Sequence, residues 1–204
     1  ISASFDYDIG GMQIPLMAHT AATYILDAAN NHLPGYAGLT QGAAELIIHF
    51  ASKDLLETFV PNMLSGKWGG TMCLTEPQAG SSLSDIITKA KPTQNGYYNI
   101  TGQKIFISGG DNQFAENIVH LVLARVEGAA KGTKGISLFI VPKNRNKSDG
   151  TLESNDVTTV ADFQKMGQKG YCTTHLGFGD KNDCKGWLVG EENQGLNYMF
   201  LMMN

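Results

Sequence analysis

Cysteine is scarce in this chain of 204 residues. Cys73, Cys172 and Cys184 are an odd number and form no CxxC pair. That excludes a disulfide scaffold and a zinc knuckle as organising devices, and the expected compartment is a reducing one, the cytoplasm. Charge is also sparse. Charged residues make up 17% of the chain, which predicts that part of its surface is covered by further chain or by a partner. There is no basic excess: Lys and Arg number 15 against 19 Asp and Glu, a net charge of −4. A nucleic-acid binder, whose phosphate contacts need such an excess, is not expected. No apolar run reaches the roughly 18 residues of a membrane span, and no charged start followed by an apolar core marks a secretory leader. GxxxxGK[ST], GxGxxG and GxSxG are all missing, and the five histidines form no HExxH.

Apolar residues and glycine are plentiful. Hydrophobic residues reach 42%, enough for a packed core and too many for a disordered chain. Glycine, at 24 residues, predicts many turns. Residues 14–66 read as helical. Pro15 suits a first turn. Ile14, Met17, Ala21, Tyr24, Ile25 and Ala28 make one apolar stripe. Leu39, Ala43, Leu46, Ile47 and Phe50 make a second, after a loop expected over Asn30–Gly35. Ser52 is placed to cap a third helix with Asp54 in its first turn, and Ser65-Gly66 ends it.

From Trp68 the period becomes strand-like. Strands are expected at 70–74, 97–101, 104–108, 118–125, 136–141, 157–160, 173–178 and 187–189. Gly102 separates two of them, and the polar stretch Lys143–Asp156 reads as an exposed loop. Many strands joined by glycine-rich turns imply an antiparallel sandwich or barrel. At the end of the chain Leu196, Met199, Phe200 and Met203 fall at i, i+3, i+4 and i+7 of a helix. That helix has neither a closing glycine nor a basic last turn, so the chain reads as part of a longer protein.

Two segments carry chemistry. In Met72-Cys73-Leu74-Thr75-Glu76-Pro77-Gln78-Ala79-Gly80-Ser81-Ser82, a strand runs into a turn of small residues, amide N–H groups and hydroxyls. A flat or anionic ligand can approach such a backbone closely. In Gly102-Gln103-Lys104-Ile105-Phe106-Ile107-Ser108, alternation places Phe106 and Ser108 on one face. There a ring could be stacked and its edge hydrogen-bonded.

Together these segments resemble the acyl-CoA dehydrogenase family. The resemblance continues in Lys134-Gly135-Ile136-Ser137-Leu138-Phe139 with Val141-Pro142, in Lys165-Met166-Gly167, and in Leu188-Val189-Gly190-Glu191-Glu192 with Gly195-Leu196. Five ordered matches cover some 130 residues. Thr71-Met72-Cys73-Leu74-Thr75-Glu76-Pro77-Gln78 and Glu116–Arg125 look most like the long bacterial subgroup that includes methylmercaptopropionyl-CoA dehydrogenase-like enzymes. The resemblance implies an α+β fold. Residues 1–67 would end an N-terminal helical domain, 68–190 form a middle β-domain, and 191–204 start a C-terminal helical domain.

The resemblance also implies FAD as cofactor, an acyl-CoA substrate, an electron-transfer flavoprotein as acceptor and a homo-oligomer. By position, Met72, Cys73, Leu74 and the Thr75 hydroxyl would meet the flavin's pyrimidine edge. Gly80 and Ser81 would lie near the pyrophosphate, with Ser81 also near the thioester ligand. Phe106 would stack on the ring, Ser108 would hydrogen-bond near its N5 and O4, and Ile107 would also belong to the cofactor site. The family's catalytic base, a Glu from the C-terminal domain, is not expected in this sequence, and Glu76 belongs to the turn instead. No metal is implied. Two positions depart from the common pattern. Ser82 stands where Asp is usual, which predicts a looser loop. Phe106 stands where Trp is usual, which reduces the stacking area. An acyl-CoA oxidase or a flavin monooxygenase relative would share this cradle, and an interaction module that has lost flavin is the reading from another class.

Overall fold

In a computed structural model, residues 1–203 are described. Three helices come first: α1 (Leu16–Ala29), α2 (Leu33–Phe50) and α3 (Lys53–Leu64). The loop expected over Asn30–Gly35 is shorter than that. Leu33 already opens α2, because Pro34 is tolerated in a first turn, where its missing N–H costs nothing. Thr40, Ala43, Ala44, Leu46 and Ile47 form the buried face of α2. No residue of α1 is buried, and Leu16, Met17, Tyr24 and Ile25 of its stripe are exposed. Ser52 stands at the N-cap of α3, but its hydroxyl makes no capping bond. Gly66, at φ +77°, follows the helix end.

Ten strands follow: β1 (Trp68–Cys73), β2 (Lys89–Pro92), β3 (Tyr98–Ser108), β4 (Asn117–Val126), β5 (Ile136–Pro142), β6 (Asn144–Asn146), β7 (Leu152–Ser154), β8 (Val157–Asp162), β9 (Thr173–Phe178) and β10 (Lys185–Leu188). The sheet order is β1-β4-β5-β10-β3-β9-β8, and β2 pairs with both β3 and β4. The cycle β4-β5-β10-β3-β2 therefore closes a small barrel. Pairing is mostly antiparallel, as expected, but β1–β4 and β2–β4 are parallel.

Both faces of β4 and β5 are buried, so these strands are rich in Val, Ile and Leu, with Asn117, His120, Arg125 and Ser137 as their polar interruptions. Val119, Leu121, Leu123, Leu138 and Ile140 face a core shared with Leu46, Phe59 and Met63 of the helices. Val122, Ala124, Phe139 and Val141 face the barrel interior with Ile100, Ile107 and Phe178.

Two expectations about connections are corrected. Gly102 does not divide two strands. β3 runs through it, since a Cβ there would lie 2.9 Å from the Thr88 Cα and only glycine lets the strand cross β2's lead-in. The stretch 143–156 is not a plain exposed loop. It folds as the β6–β7 hairpin, and Asn155 is fully buried, its amide donating to the carbonyls of Pro142 (2.8 Å) and Lys185 (2.9 Å).

The final helix, α4 (Gly195–Met203), sits on β5 and α2 through absent side chains. A Cβ on Gly195 would lie 2.5 Å from the Ser137 carbonyl carbon, and one on Gly42 would lie 2.8 Å from Met202 Cγ. Tyr198 stacks on Phe50 at 4.2 Å. Of the expected stripe, Met199 is buried but Phe200 and Met203 are exposed, because Met202 rather than Met203 takes the seat at Gly42. Gly195→Ala is expected to cost about 1–3 kcal/mol, since the clash is with backbone. Its urea midpoint should fall measurably, and an unchanged midpoint would show that α4 is not seated on β5.

Candidate functional site

Beyond Cys73, at the end of β1, the chain makes a tight turn. The Glu76 N–H donates to the Ala79 carbonyl (2.7 Å), and the Ala79 N–H donates back to the Glu76 carbonyl (3.1 Å). Pro77 occupies the exposed tip, where it has no N–H to lose. The turn is tied to β3 by the Ile105 N–H donating to the Thr75 carbonyl (2.9 Å). β1 is an edge strand, so its outer polar edge has no strand partner. Part of that edge is taken by Thr40 Oγ1, which accepts the Gly70 N–H (2.9 Å), and just past the strand the Leu74 carbonyl accepts from Lys104 Nζ (3.0 Å).

Beneath the turn lies a buried ion pair. Lys104 Nζ is 2.8 Å from Glu76 Oε1, and the two side chains are 0% and 1% exposed. Glu76 Oε1 also accepts the Thr88 N–H, and Oε2 accepts the Ile87 N–H and the Gln78 amide. Burial raises the Glu76 pKa, but the Lys104 charge and these bonds outweigh it and hold the carboxyl below the usual range. Both oxygens are committed, so Glu76 is no free base. Sequence reasoning missed Lys104. The neighbouring Thr101, Gly102 and Gln103 gave no signal that this ammonium is buried.

β3 is interrupted by a bulge between Lys104 and Ile107. Simple alternation therefore fails here: Lys104 is buried, and so is Ile107, three residues on. Phe106, at the bulge, has φ +57° and is 56% exposed. Its ring lies 4.5 Å from that of Phe163. Phe106 and Ser108 flank the inward-pointing Ile107. Cys73 is likewise fully buried, its thiol pushed up to about 12 by burial. Cys73 and Ile107 can meet a ligand only through their backbone.

The hydroxyls of Thr75, Ser81 and Ser108 have no partner among the described residues. Thr75 lies beside Gly80, whose added Cβ would meet only Thr75 Cγ2, at 3.6 Å. Through Ile105, Thr75 also adjoins Phe106. The structure thus brings Thr75, Gly80, Ser81 and the Phe106 bulge into one continuous strip. Ser81 then lines a cavity of about 840 Å³, with Ser82, Ser84, Thr133, Lys134, Asn193 and Phe200 among its walls. The other predicted residues do not line it. The loop after Ser81 is not loosened by Ser82. Its hydroxyl donates to Asp85 Oδ2 (2.8 Å), and Ser84 bonds the same carboxylate, so the acid missing at 82 is supplied three residues later.

Residues 71–180, more than half of the chain, match the family model described as acyl-CoA dehydrogenase, middle domain. The chain belongs to the acyl-CoA dehydrogenase family. It is 43% identical to a butyryl-CoA dehydrogenase of Syntrophomonas wolfei, over 94% of this chain and 33% of that one. It is 40% identical to the 3-methylmercaptopropionyl-CoA dehydrogenase of Ruegeria pomeroyi, over 99% of this chain and 34% of that one. An acyl-CoA dehydrogenase structure from Geobacillus kaustophilus superposes with a TM-score of 0.81 at 25% identity, covering all of this chain and 50% of the other. The chain therefore spans about a third of the length of these curated relatives. Every site residue named from sequence falls inside the matched span. No described helix is long and apolar enough to cross a membrane.

Proposed function

We propose that this chain is the cofactor- and thioester-holding part of an FAD-dependent acyl-CoA dehydrogenase. The observation that carries this reading is Phe106. A bulky residue at positive φ is strained by about 1–3 kcal/mol, and here the strain turns an aromatic ring outward near the unused hydroxyls of Thr75 and Ser108. A flat heterocycle with polar edges supplies what such a surface lacks. Gly80 fits the same reading. A side chain there would clash with nothing in the chain, so its absence leaves room for a ligand rather than relieving crowding.

The backbone of Met72, Cys73 and Leu74 and the Thr75 hydroxyl would hold the pyrimidine edge of the flavin. Phe106 would support the ring face, Ile107 through its backbone and Ser108 through its hydroxyl would face the N5 and O4 side, and Gly80 and Ser81 would lie at the pyrophosphate. Bound FAD supplies a hydride acceptor for the β-carbon of an acyl-CoA thioester. Donors fixed in advance around an acceptor of negative charge lower the cost of placing it there. Ser81 and the cavity it lines would hold the thioester ligand. The α-proton must go to a carboxylate. Glu76, committed to Lys104 and to backbone, would not be that carboxylate; by the family resemblance the base would come from the C-terminal helical domain, and the chain alone would then be inactive. Residues 1–67 would close an N-terminal helical domain, 68–190 form the β-domain, and 191–204 open a C-terminal helical domain. An electron-transfer flavoprotein as acceptor, a homo-oligomeric state and a cytoplasmic location complete the proposal.

The test is a visible absorption spectrum of the full-length protein after FAD is added and the excess removed. A retained flavin band that bleaches on anaerobic addition of acyl-CoA is expected. Phe106→Ala should weaken FAD binding about tenfold through lost stacking. A colourless full-length protein would overturn the proposal. Rapid reoxidation of the reduced form by air would turn it toward an oxidase.

A further inference from the structure

Two loops wall the cavity that Ser81 enters, one carrying Ser82 and Ser84 and the other Thr133 and Lys134. Neither is held by regular secondary structure beyond a single helical turn. Behind both walls lies Arg125 of β4. Its Nη1 donates to the carbonyls of Ala130 and Gly132 (2.9 Å to the latter), and its Nη2 donates to those of Ser84 (3.2 Å) and Ile86 (3.5 Å). Arg125 forms no salt bridge among the described residues. Its fork is spent entirely on backbone of the two loops.

Gly135 shows how closely this latch is fitted. A Cβ on it would lie 1.8 Å from the Ala130 oxygen and 2.7 Å from Arg125 Nη1. Only a residue without a side chain lets the guanidinium reach its acceptors. A planar fork with donors on both sides can bridge two loops, whereas an ammonium is a single point of attachment.

We propose that Arg125 is a positioning residue that sets the spacing of the cavity walls and thereby the affinity for the ligand the cavity takes. The hydroxyl-rich walls and the ammonium of Lys134 suit a long ligand carrying amides and a phosphate. The proposal rests on the acyl-CoA reading above, which makes that ligand the CoA portion of the thioester. Arg125 does not touch it and acts through Ser84 and the 130–132 turn.

The experiment is steady-state kinetics with acyl-CoA on the full-length enzyme carrying Arg125→Lys, Gly135→Ala, or both. Arg125→Lys is expected to raise KM about tenfold with kcat within about twofold, the pattern of lost uniform binding. Gly135→Ala should act in the same direction. The double variant should be no worse than the more severe single one, because both disturb one latch. FAD content should be unchanged throughout. KM unmoved in both variants while the melting temperature falls would make Arg125 merely structural and overturn the proposal. A fall in kcat with unchanged KM would also overturn it, by placing the effect at the reacting atoms. A wild-type enzyme that does not oxidise acyl-CoA would instead remove the functional reading itself, and this proposal with it.

Discussion

Lys104→Met is expected to destabilise the fold by about 3–5 kcal/mol, because it leaves the Glu76 carboxylate buried without its counter-ion. The side chains of this pair are 0% and 1% exposed, so water cannot take the place of the lost ammonium. The same change frees the Leu74 carbonyl, which Lys104 also holds at 3.0 Å. Glu76→Gln in the same protein should recover most of the loss, since removing both charges is far cheaper than removing one. Urea unfolding of the single and double variants at neutral pH measures this. A single variant within about 1 kcal/mol of wild type, the range of an exposed ion pair, would show that the pair is solvated. The sign in acid follows from Glu76. Its carboxyl is held below the usual range in the folded chain. Its contribution is therefore complete above the unfolded pKa of about 4.3 and is lost as pH falls below that.

The pair also explains which parts of the candidate site were legible in sequence. Thr75, Gly80 and Ser81 lie in a local turn whose residue types announce small, polar, backbone-exposing geometry, and the structure places them together. The strands β4 and β5 were legible for a similar reason, since burial on both faces leaves them dense in Val, Ile and Leu. The Lys104–Glu76 contact was not, because it joins residues 28 apart in sequence across a bulge that period-two counting cannot foresee. β2 was missed because Lys89–Pro92 has no apolar pattern and is a strand only by pairing on both edges. Asn155 illustrates the same limit. A polar residue in a polar stretch looks exposed, yet three hydrogen bonds key it into the barrel. The cavity is the most distant case. Its walls come from near residues 82, 133 and 196, and only the closed barrel with α4 seated on it brings them together.

His120 supplies the second large effect, a loss of stability on mild acidification. It lies on β4 opposite Thr71 of β1, is fully buried, and bonds Thr71 Oγ1 through Nδ1 at 2.8 Å. Its Nε2 has no hydrogen-bond partner among the described residues, and the Phe178 ring packs at a right angle to the imidazole, centroids 6.0 Å apart. Burial is the main reason its pKa is pushed down to about 3. The Lys143 charge adds to the shift and Asp111 opposes it. The folded state therefore keeps a neutral imidazole where the unfolded chain binds a proton. Stability is complete above the ordinary value near 6.5 and falls as pH is lowered toward 3. At 1.36 kcal/mol per pH unit, the loss reaches about 2 kcal/mol by pH 5, before most carboxylates titrate. His120→Gln is neutral at every pH and so isolates the effect. The difference in unfolding free energy between wild type and variant should shrink by about 2 kcal/mol from pH 8 to pH 5. A difference that stays constant over that range would mean that His120 takes up its proton in the folded barrel. An imidazolium there would need an acceptor for Nε2–H, and the folded barrel supplies none among the described residues.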